Sequence, residues 1–257
     1  MTEDYTNSTH EAARLIQRAR YAVALTGAGM STRSGIPDFR SPGTGLWENV
    51  DPMEVASIFA FRRHPEAFYG WLRPLARLVH DAAPNPGHVA MAELGAVGFL
   101  KAIVTQNIDN LHQQAGSEVV VEVHGHLREA TCIECYHVEA TDSLLQDFLA
   151  SGQLPRCSRC GGIMKPNAVL FGEQLPMGVL NQARAHADAA DLMLIAGSSL
   201  EVFPVCRLPS RVCRRAGRLI VINLTPTPFD DAAEVVIHAD VADVLPLIVR
   251  ACQRHPD

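Results

Sequence analysis

Short, almost continuously apolar runs alternate along the chain with longer stretches in which apolar residues recur every three or four positions. The runs predict strands, and the longer stretches predict helices with one buried face. Strands are expected at residues 21–26, 99–105, 119–123, 192–196, 218–222 and 234–237. Helices are expected at residues 9–20, 86–96, 176–189, 204–216 and 240–253. Fully apolar strands separated by helices predict an α/β fold with a doubly wound, Rossmann-like parallel sheet.

Two segments do not follow this alternation. Residues 42–83 have helical patterns and many aromatic side chains but no convincing strand, and residues 126–166 carry four cysteines among turn-forming residues. We expect both to be insertions that together form a smaller module. The larger sheet domain would then consist of residues 1–41, 84–125 and 167–257.

The composition limits the classes of protein to which this chain can belong. The 257 residues, 47% of them hydrophobic and 19% charged, are enough for a large buried core. The net charge of −6 argues against nucleic-acid binding as the main function. The N-terminal segment lacks the apolar stretch of a signal peptide, and no uncharged run is long enough to span a membrane. We therefore expect a cytoplasmic protein whose seven cysteines are reduced or metal-bound.

Four of these cysteines form two C-x2-C pairs, "CIEC" at 132–135 and "CSRC" at 157–160. Each pair suits a tight turn that directs two thiolates at one centre, and two such turns complete a tetrahedral Zn²⁺ site. Four thiolates leave no open position, so the single zinc ion would be structural. Two unrelated pairs or a redox dithiol are the alternatives. The predicted ligands are Cys132, Cys135, Cys157 and Cys160.

Polar residues cluster where the predicted strands end, and this is the edge at which open α/β sheets bind ligands. The first strand leads into a glycine-containing turn typical of phosphate sites, but a polar loop at 31–41 follows it instead of a regular helix. Taken singly, these residues are also consistent with a structural histidine, a simple turn or a helix cap. The strand-end residues are Gly27, Ala28, Gly29, Gln106, Asn107, Asp109, His124, Gly197, Ser198, Ser199 and Asn223.

The acidic residue that usually binds the adenosine ribose in such sheets has no counterpart here. Glu48 lies at about the expected distance of 20 residues, but no predicted strand precedes it. Ser198 and Asn223 are available to hold the ribose instead, which leaves the loop at 31–41 free to fold over the ligand.

The ordered motifs of the chain resemble those of the sirtuin family of NAD-dependent protein deacylases. They are "GAGMSTRSGIPDFRS", "TQNIDNLH", "HGH" with the two C-x2-C pairs, "VLFGE", "GSSLEVFPV" and "INL", and they span about residues 10–250. Thr225 and His126 differ from the residues common at their positions, but neither replaces a catalytic group. The resemblance implies a transferase that consumes NAD as a co-substrate and yields nicotinamide, free lysine and O-acetyl-ADP-ribose.

The resemblance also implies a role for each matching residue. His124 would be the general base that activates a ribose hydroxyl, and Asn107 would position the ribose and a water molecule. Ile108 and Asp109 would hold the nicotinamide carboxamide. The full set of implied NAD-binding residues is Gly27, Ala28, Gly29, Thr32, Asp38, Phe39, Arg40, Gln106, Ile108, Asp109, Gly197, Ser198, Ser199, Asn223, Leu224 and Val241.

An acyl-lysine peptide would, by the same resemblance, add as a strand between residues 171–173 and 202–204. Acyl-lysine proteins or peptides are therefore the expected partners, whereas neither a nucleic acid nor a membrane is expected. The pattern does not predict an oligomeric state. The implied substrate-binding residues are Val169, Phe171, Gly172, Glu173, Val202 and Phe203.

The helical segment at 64–80 bears on the acyl group. Family members that prefer succinyl or malonyl groups resemble one another in a Tyr-x-x-Arg pair here. Tyr69 is present, but Leu72 stands at the arginine position and Arg73 comes one residue late. One residue is a rotation of about 100° on a helix, so Arg73 should point away from the acyl tunnel that Leu72 lines. We expect a preference for acetyl and other uncharged acyl groups. The alternative interpretation, in which the segment is simply a packing helix, predicts the same preference.

Other functions remain open from the sequence. A nicotinamide dehydrogenase would share the sheet but would need the missing acidic residue. ADP-ribosyl transfer to a protein or to water uses the same NAD chemistry, and a deacylase could prefer longer acyl chains. A zinc module that binds nucleic acid or protein without catalysis is disfavoured by the overall charge and by the polar strand ends.

Overall fold

A computed structural model describes residues 5–38, 45–46 and 50–253. These residues form one large and one small sheet with helices around both. The strands are β1 (Ala22–Thr26), β2 (Leu100–Thr105), β3 (Val120–Glu122), β4 (Gly125–Cys132), β5 (Val138–Ala140), β6 (Met164–Ala168), β7 (Leu192–Ala196), β8 (Arg218–Ile222) and β9 (Val235–Ile237). The α-helices are α1 (Thr6–Arg18), α2 (Pro52–Val55), α3 (Ile58–Arg63), α4 (Pro65–Asp81), α5 (Pro86–Ala96), α6 (Leu111–Gln114), α7 (Asp142–Ser151), α8 (Met177–Ala189), α9 (Leu208–Cys213) and α10 (Val241–Gln253).

Six strands form the large sheet in the order β3-β2-β1-β7-β8-β9, and all their pairs are parallel. This confirms the predicted doubly wound fold. The strand order reverses between the neighbouring strands β1 and β7. Sheets of this type bind ligands in the crevice at that point. The loops that follow β1 and β7 therefore lie side by side at the carboxyl edge of the sheet.

The alternation of side chains along each strand divides the main core into two layers. Ala22 and Ala24 of β1 face the layer formed with α1, α5 and α10. Val23 and Leu25 face the layer formed with α8 and α9. All five residues of β1 and of β7 are buried, because helices cover both faces.

Two predicted helices differ from the observed ones at their ends. The helix expected at residues 9–20 spans Thr6–Arg18, and the Arg20 N–H donates instead to the Asp191 carboxylate at 2.9 Å. The helix expected at residues 204–216 starts as a 3₁₀ turn at Val205–Arg207 and continues as α9. These deviations fall at element boundaries, where local periodicity is least informative.

The two segments that broke the sequence pattern pack against each other. Helices α2, α3 and α4 come from the first, and β5, α7 and most of β4 and β6 come from the second. β4 pairs antiparallel with both β5 and β6. The aromatic side chains noted in the sequence form a shared core, in which the ring of Tyr69 lies 5.2 Å from that of Phe68 and 5.1 Å from that of Phe148. No helix in the described part of the chain has the length and apolar character needed to cross a membrane.

Candidate functional site

Three glycines allow the loops after β1 and β7 to touch. The Gly29 N–H donates to the Gly197 carbonyl at 2.9 Å. A Cβ atom on Gly27 would lie 2.9 Å from the Ser198 Cβ, and one on Gly29 would lie 2.9 Å from the Gly197 Cα. Gly197 has a φ of 61°, and a Cβ there would lie 2.4 Å from the Met30 nitrogen. The two backbones thus form a cradle with no room for side chains, as close approach to a phosphate requires.

The loop after β2 is tied to this cradle by a buried hydrogen-bond chain. The Asn107 Nδ2 donates to the Gly27 carbonyl and to the Ser31 Oγ, both at 3.1 Å. The Ser31 hydroxyl donates in turn to the Asp109 Oδ2 at 2.6 Å, and the Leu111 N–H donates to the Asp109 Oδ1 at 3.0 Å. The side chains of Asn107, Ser31 and Asp109 are therefore held in place before any ligand binds.

Asp109 carries its carboxyl group in a low-polarity environment. Burial raises its pKa, and the hydrogen bonds from Ser31 and the Leu111 N–H oppose that shift. The negative charge of Glu122 raises it further. Both carboxylate oxygens of Asp109 accept hydrogen bonds, and in this low-polarity environment those interactions are strong.

His124 follows β3, and its position fixes its tautomer. Its Nδ1 lies 3.0 Å from the Gln106 carbonyl oxygen. A carbonyl can only accept, so in the neutral ring Nδ1 carries the hydrogen and Nε2 keeps a free lone pair. Burial lowers the pKa of His124, although the hydrogen bond to Gln106 opposes this. A neutral imidazole with an available Nε2 is the form required of a general base.

Further polar contacts at the same edge involve the loops after β1, β2, β7 and β8. The Gln106 Nε2 donates to the Ser198 Oγ at 2.8 Å, which joins the loops after β2 and β7. The Asn223 Nδ2 donates to the Thr225 carbonyl at 2.7 Å, so Asn223 braces its own loop and does not cap a helix. Thr32 donates to the Gly29 carbonyl at 3.2 Å within the first loop.

The remaining residues predicted to bind NAD differ in their exposure to solvent. Leu224 is 63% exposed, whereas the Val241 side chain is buried in the main core at the start of α10. The Asp38 carbonyl accepts a hydrogen bond from the Leu46 N–H at 3.0 Å. The predictions for Phe39 and Arg40 fall on residues outside the described part of the chain. Ala28, Ile108 and Ser199 lie half-buried on the loops already described.

The two segments predicted to flank a peptide are loops in this structure. Residues 170–173 form a turn in which the Glu173 N–H donates to the Leu170 carbonyl at 3.0 Å. The Phe171 N–H and carbonyl are already paired with Ala56 and Ile58. Phe171 and Phe203 are 38% and 71% exposed, and Val202 is half-buried beside Phe203.

Glu173 and Val169 have partners within the chain. The Glu173 carboxylate accepts from the Leu170 N–H at 2.8 Å and pairs with the Lys165 ammonium at 3.0 Å. Its carboxylate thus stabilises the turn at residues 170–173. The Val169 N–H donates to the His124 carbonyl at 2.8 Å. The end of β6 is therefore fastened to the residue that bears the candidate base.

Tyr69 is a packing residue. Its side chain is buried in the module core, its hydroxyl donates to the Met164 carbonyl at 2.5 Å, and burial raises its pKa. The Arg73 guanidinium donates to the carbonyls of Leu149 and Ala150 at 2.7 and 3.0 Å, at the end of α7. Of the two interpretations of this segment, the structure favours the packing helix.

The four predicted zinc ligands converge on one point. Their Sγ atoms all lie within 4.8 Å of one another, and three pairs are separated by 3.4, 3.5 and 3.6 Å. Ligands 2.3 Å from a tetrahedral zinc ion would be roughly 3.8 Å apart. Geometry and donor set both fit one structural zinc ion, held by Cys132, Cys135, Cys157 and Cys160.

Three buried residues of the site were missed from the sequence. Ser31 links Asn107 to Asp109, and the His88 Nε2 lies 3.5 Å from its Oγ. The His112 Nε2 lies 3.0 Å from the Thr26 Oγ, and the His88 and His112 rings are 4.9 Å apart. Burial lowers the pKa of His88 to about 4 and, with the charge of His88, that of His112 to about 3.

Each of these three residues had a weak signal in the sequence. His88 closes a capping box with Asn85 at the start of α5, and His112 belongs to the motif "NIDNLH". Ser31 directly precedes Thr32 in the first loop. Their contacts run between distant segments, so spacing alone does not reveal them.

Comparison with known proteins gives a consistent result. Residues 27–204 match the Sir2 family. A protein of Caldivirga maquilingensis named NAD-dependent protein deacetylase is 44% identical over 239 residues, which are 93% of this chain and 91% of that protein. A solved structure described under the mechanism and regulation of Sir2 enzymes is 40% identical, with a TM-score of 0.90 and coverage of 96% and 98% of the two chains. A Sir2 structure with p53 peptide and NAD⁺ is 39% identical, with a TM-score of 0.85 and coverage of 93% and 96%.

Proposed function

Because this chain belongs to the Sir2 family, we propose that it is an NAD-dependent protein lysine deacetylase. It would transfer the acetyl group of a modified lysine to the ADP-ribose part of NAD and release nicotinamide and free lysine. The observation that carries the proposal is the placement of His124, whose free Nε2 belongs to a ring fixed by the Gln106 carbonyl at 3.0 Å. That carbonyl lies on the same loop as Asn107 and Asp109.

The proposed NAD site uses the cradle and the loops tied to it. The glycine cradle of Gly27, Gly29 and Gly197 would accept the phosphates, because its backbones already pack too closely for side chains. Ser198 and Asn223 would serve the adenosine ribose. When bound, NAD supplies a ribose carbon that becomes electrophilic as neutral nicotinamide departs.

At the nicotinamide end, residues of this chain would hold the carboxamide and orient the ribose. Ile108 and Asp109 would hold the carboxamide, and Asp109 is prepared for this by the hydrogen bonds from Ser31 and Leu111. Asn107 would position the ribose and a water molecule. The His124 Nε2 would accept a proton from a ribose hydroxyl, and the ring's neutral state allows this at physiological pH.

The acyl-lysine would enter between residues 171–173 and 202–204. Because the Phe171 N–H and carbonyl are bonded to Ala56 and Ile58, the neighbouring Gly172 would pair with the peptide backbone. Exposed Phe171 and Phe203 would cover the apolar part of the acyl-lysine. Glu173 would act by stabilising the turn through Lys165.

The proposed domain division follows the buried clusters. The layers around the large sheet would form the NAD-binding domain, made of residues 1–41, 84–125 and 167–257. Residues 42–83 and 126–166 would form the helical and zinc-binding module, and this is supported by the aromatic core shared by α3, α4 and α7. A cytoplasmic location belongs to the same proposal, because cysteines must be reduced to bind zinc as thiolates.

Product analysis tests the proposed reaction. The purified protein is incubated with NAD and an acetyl-lysine peptide, and both products are identified by mass spectrometry. We expect deacetylated peptide, nicotinamide and O-acetyl-ADP-ribose in equal amounts. ADP-ribosylated protein, free ADP-ribose alone or reduced NAD would each identify one of the alternative functions and contradict this one.

Acyl selectivity is a separate expectation. A succinyl carboxylate in an apolar tunnel needs a cationic partner, because burying an unpaired charge costs several kcal/mol. Arg73 is engaged with the Leu149 and Ala150 carbonyls, and Leu72 is buried in the module core. We expect kcat/KM for an acetyl-lysine peptide to exceed that for the matched succinyl-lysine peptide by about 100-fold, which corresponds to about 2.8 kcal/mol. Equal or better succinyl activity would show that a cation reaches the tunnel after all.

A further inference from the structure

An arginine outside the sequence motifs joins the zinc-bearing sheet to the loop that follows β2. Arg128 lies on β4, which ends at the zinc ligand Cys132. Its guanidinium donates to the Asn110 Oδ1 at 2.8 Å and to both carboxylate oxygens of Glu122 at 2.8 and 2.5 Å. Asn110 follows Asp109 directly, and Glu122 ends β3. One side chain therefore holds three separate elements together.

The backbone conformation of Asn110 shows why this contact matters. Asn110 precedes α6 with a φ of 65°, in the left-handed region that residues with a Cβ adopt at an energetic cost. Asparagine tolerates this region better than most residues but does not prefer it. The hydrogen bond from Arg128 to its side chain is a tertiary contact that stabilises the loop in this shape.

The charges of Glu122 and Arg128 also indicate that Arg128 stabilises this loop. The Glu122 side chain is 10% exposed, and its negative charge contributes to the raised pKa of Asp109 after burial itself. The hydrogen bonds to Glu122 raise the pKa of Arg128, so the guanidinium stays charged and offsets the carboxylate. Without the guanidinium, Arg128 would no longer offset the negative charge of Glu122. That charge acts on Asp109, the residue proposed to hold the nicotinamide carboxamide.

We propose that Arg128 is a positioning residue for the loop of residues 106–110, acting through Asn110 and Glu122 and not by contact with NAD. The inference rests on the proposed function, in which Ile108 and Asp109 hold the nicotinamide end of NAD. A loop that is held less firmly binds that end less tightly. Both NAD and the released nicotinamide are then affected, whereas the acyl-lysine peptide is bound by other segments.

Two substitutions remove the contact in different ways. Arg128→Gln removes the charge and the bidentate pair, and Asn110→Gly removes the Oδ1 acceptor while allowing the positive φ without strain. Each should raise KM for NAD and the nicotinamide concentration that halves activity by about fivefold, the scale of one partly exposed charged hydrogen bond. KM for the acetyl-lysine peptide and kcat should change less than about twofold. Arg128→Lys should restore part of the loss.

Stability separates this role from a structural one. Asn110→Gly should leave the melting temperature unchanged or higher, because glycine adopts a φ of this sign readily, yet it should weaken NAD binding. The matched control is Arg211→Gln, since Arg211 forms the same bidentate pair with Asp188 at 2.8 and 2.5 Å on helices α9 and α8. This control should leave NAD affinity unchanged. Zinc content should stay at one ion per chain in all variants.

Several outcomes would overturn the proposal. The first is an unchanged NAD affinity in Arg128→Gln, and the second is an equal loss of NAD affinity in the control Arg211→Gln. The third is a double variant, Arg128→Gln with Asn110→Gly, in which the two losses of NAD affinity multiply. Calorimetric titration of NAD into each variant measures the affinity without any turnover. A wild-type protein that binds NAD but does not deacetylate would contradict the proposed function, while the calorimetric comparison would still decide the role of Arg128.

Discussion

Replacing His124 with alanine is expected to lower deacetylation by at least 100-fold, within the roughly 10²–10⁴-fold range of a general base. The His124 Nε2 is the free nitrogen of a half-buried, neutral ring, and alanine leaves no group that can accept the ribose hydroxyl proton. Binding of NAD should change little, since the cradle and the chain from Asn107 to Asp109 do not depend on this side chain. The measurement is kcat on an acetyl-lysine peptide at saturating NAD.

A second variant separates catalysis from structure. His124→Asn can keep a donor close to the Nδ1 position and so preserve the hydrogen bond to Gln106, but it has no base. It should be as inactive as His124→Ala and melt closer to the wild type. The control is His186→Ala, because His186 is also hydrogen-bonded, to the Tyr21 hydroxyl at 3.0 Å, but lies away from the strand-end loops. Near wild-type turnover in either His124 variant would remove the base from the mechanism.

The pH dependence has a defined sign. Only the neutral ring can accept a proton, and burial lowers the pKa of His124 below its usual value of 6.5. Activity at saturating substrates should therefore stay level at neutral pH and should fall only at a pH lower than an unshifted histidine would give, as the ring becomes protonated. The residual activity of His124→Ala should lack this acidic limb.

Much of the fold follows from local pattern, because each strand of the large sheet is an apolar run and the covering helices α1 and α10 have a strong amphipathic period. All six strands of that sheet lie within one residue of the expected bounds. The small sheet was not resolved into strands from the sequence. β4 has both exposed and buried positions, and its fold depends on the cysteines and on pairing with β6.

The candidate site is less accessible from local pattern. Strand ends identified Gln106, Asn107 and His124, because parallel strands bring their carboxyl ends to one edge. The contacts of Ser31 with Asp109 and of Arg128 with Asn110 join residues far apart in sequence, and no periodicity encodes them. The role of Tyr69 was equally open, since a helix position predicts a direction but not the element that will cover it.

Loss of zinc is expected to have the largest effect on stability. Four converging thiolates can bind a structural ion with an apparent free energy on the order of 10 kcal/mol, and in a small module most of this is folding free energy. Around the cluster, Ala130, Cys132, Cys157 and Met164 form only a small buried core. We therefore expect the strands β4, β5 and β6 to lose their order when the ion is removed.

Substitution of a single ligand tests this expectation. Cys132→Ser or Cys157→Ser should release the ion and expose β4–β6 to hydrogen exchange, while β1 and β7 stay protected in their own core. Activity should fall as well, because Val169, directly after β6, donates its N–H to the His124 carbonyl, and β4 carries Arg128. Cys213→Ser is the control, since Cys213 lies on α9 outside the cluster. Elemental analysis should find one zinc per chain in the wild type and in this control, and freshly purified, untagged wild type that is zinc-free yet folded and active would contradict the assignment.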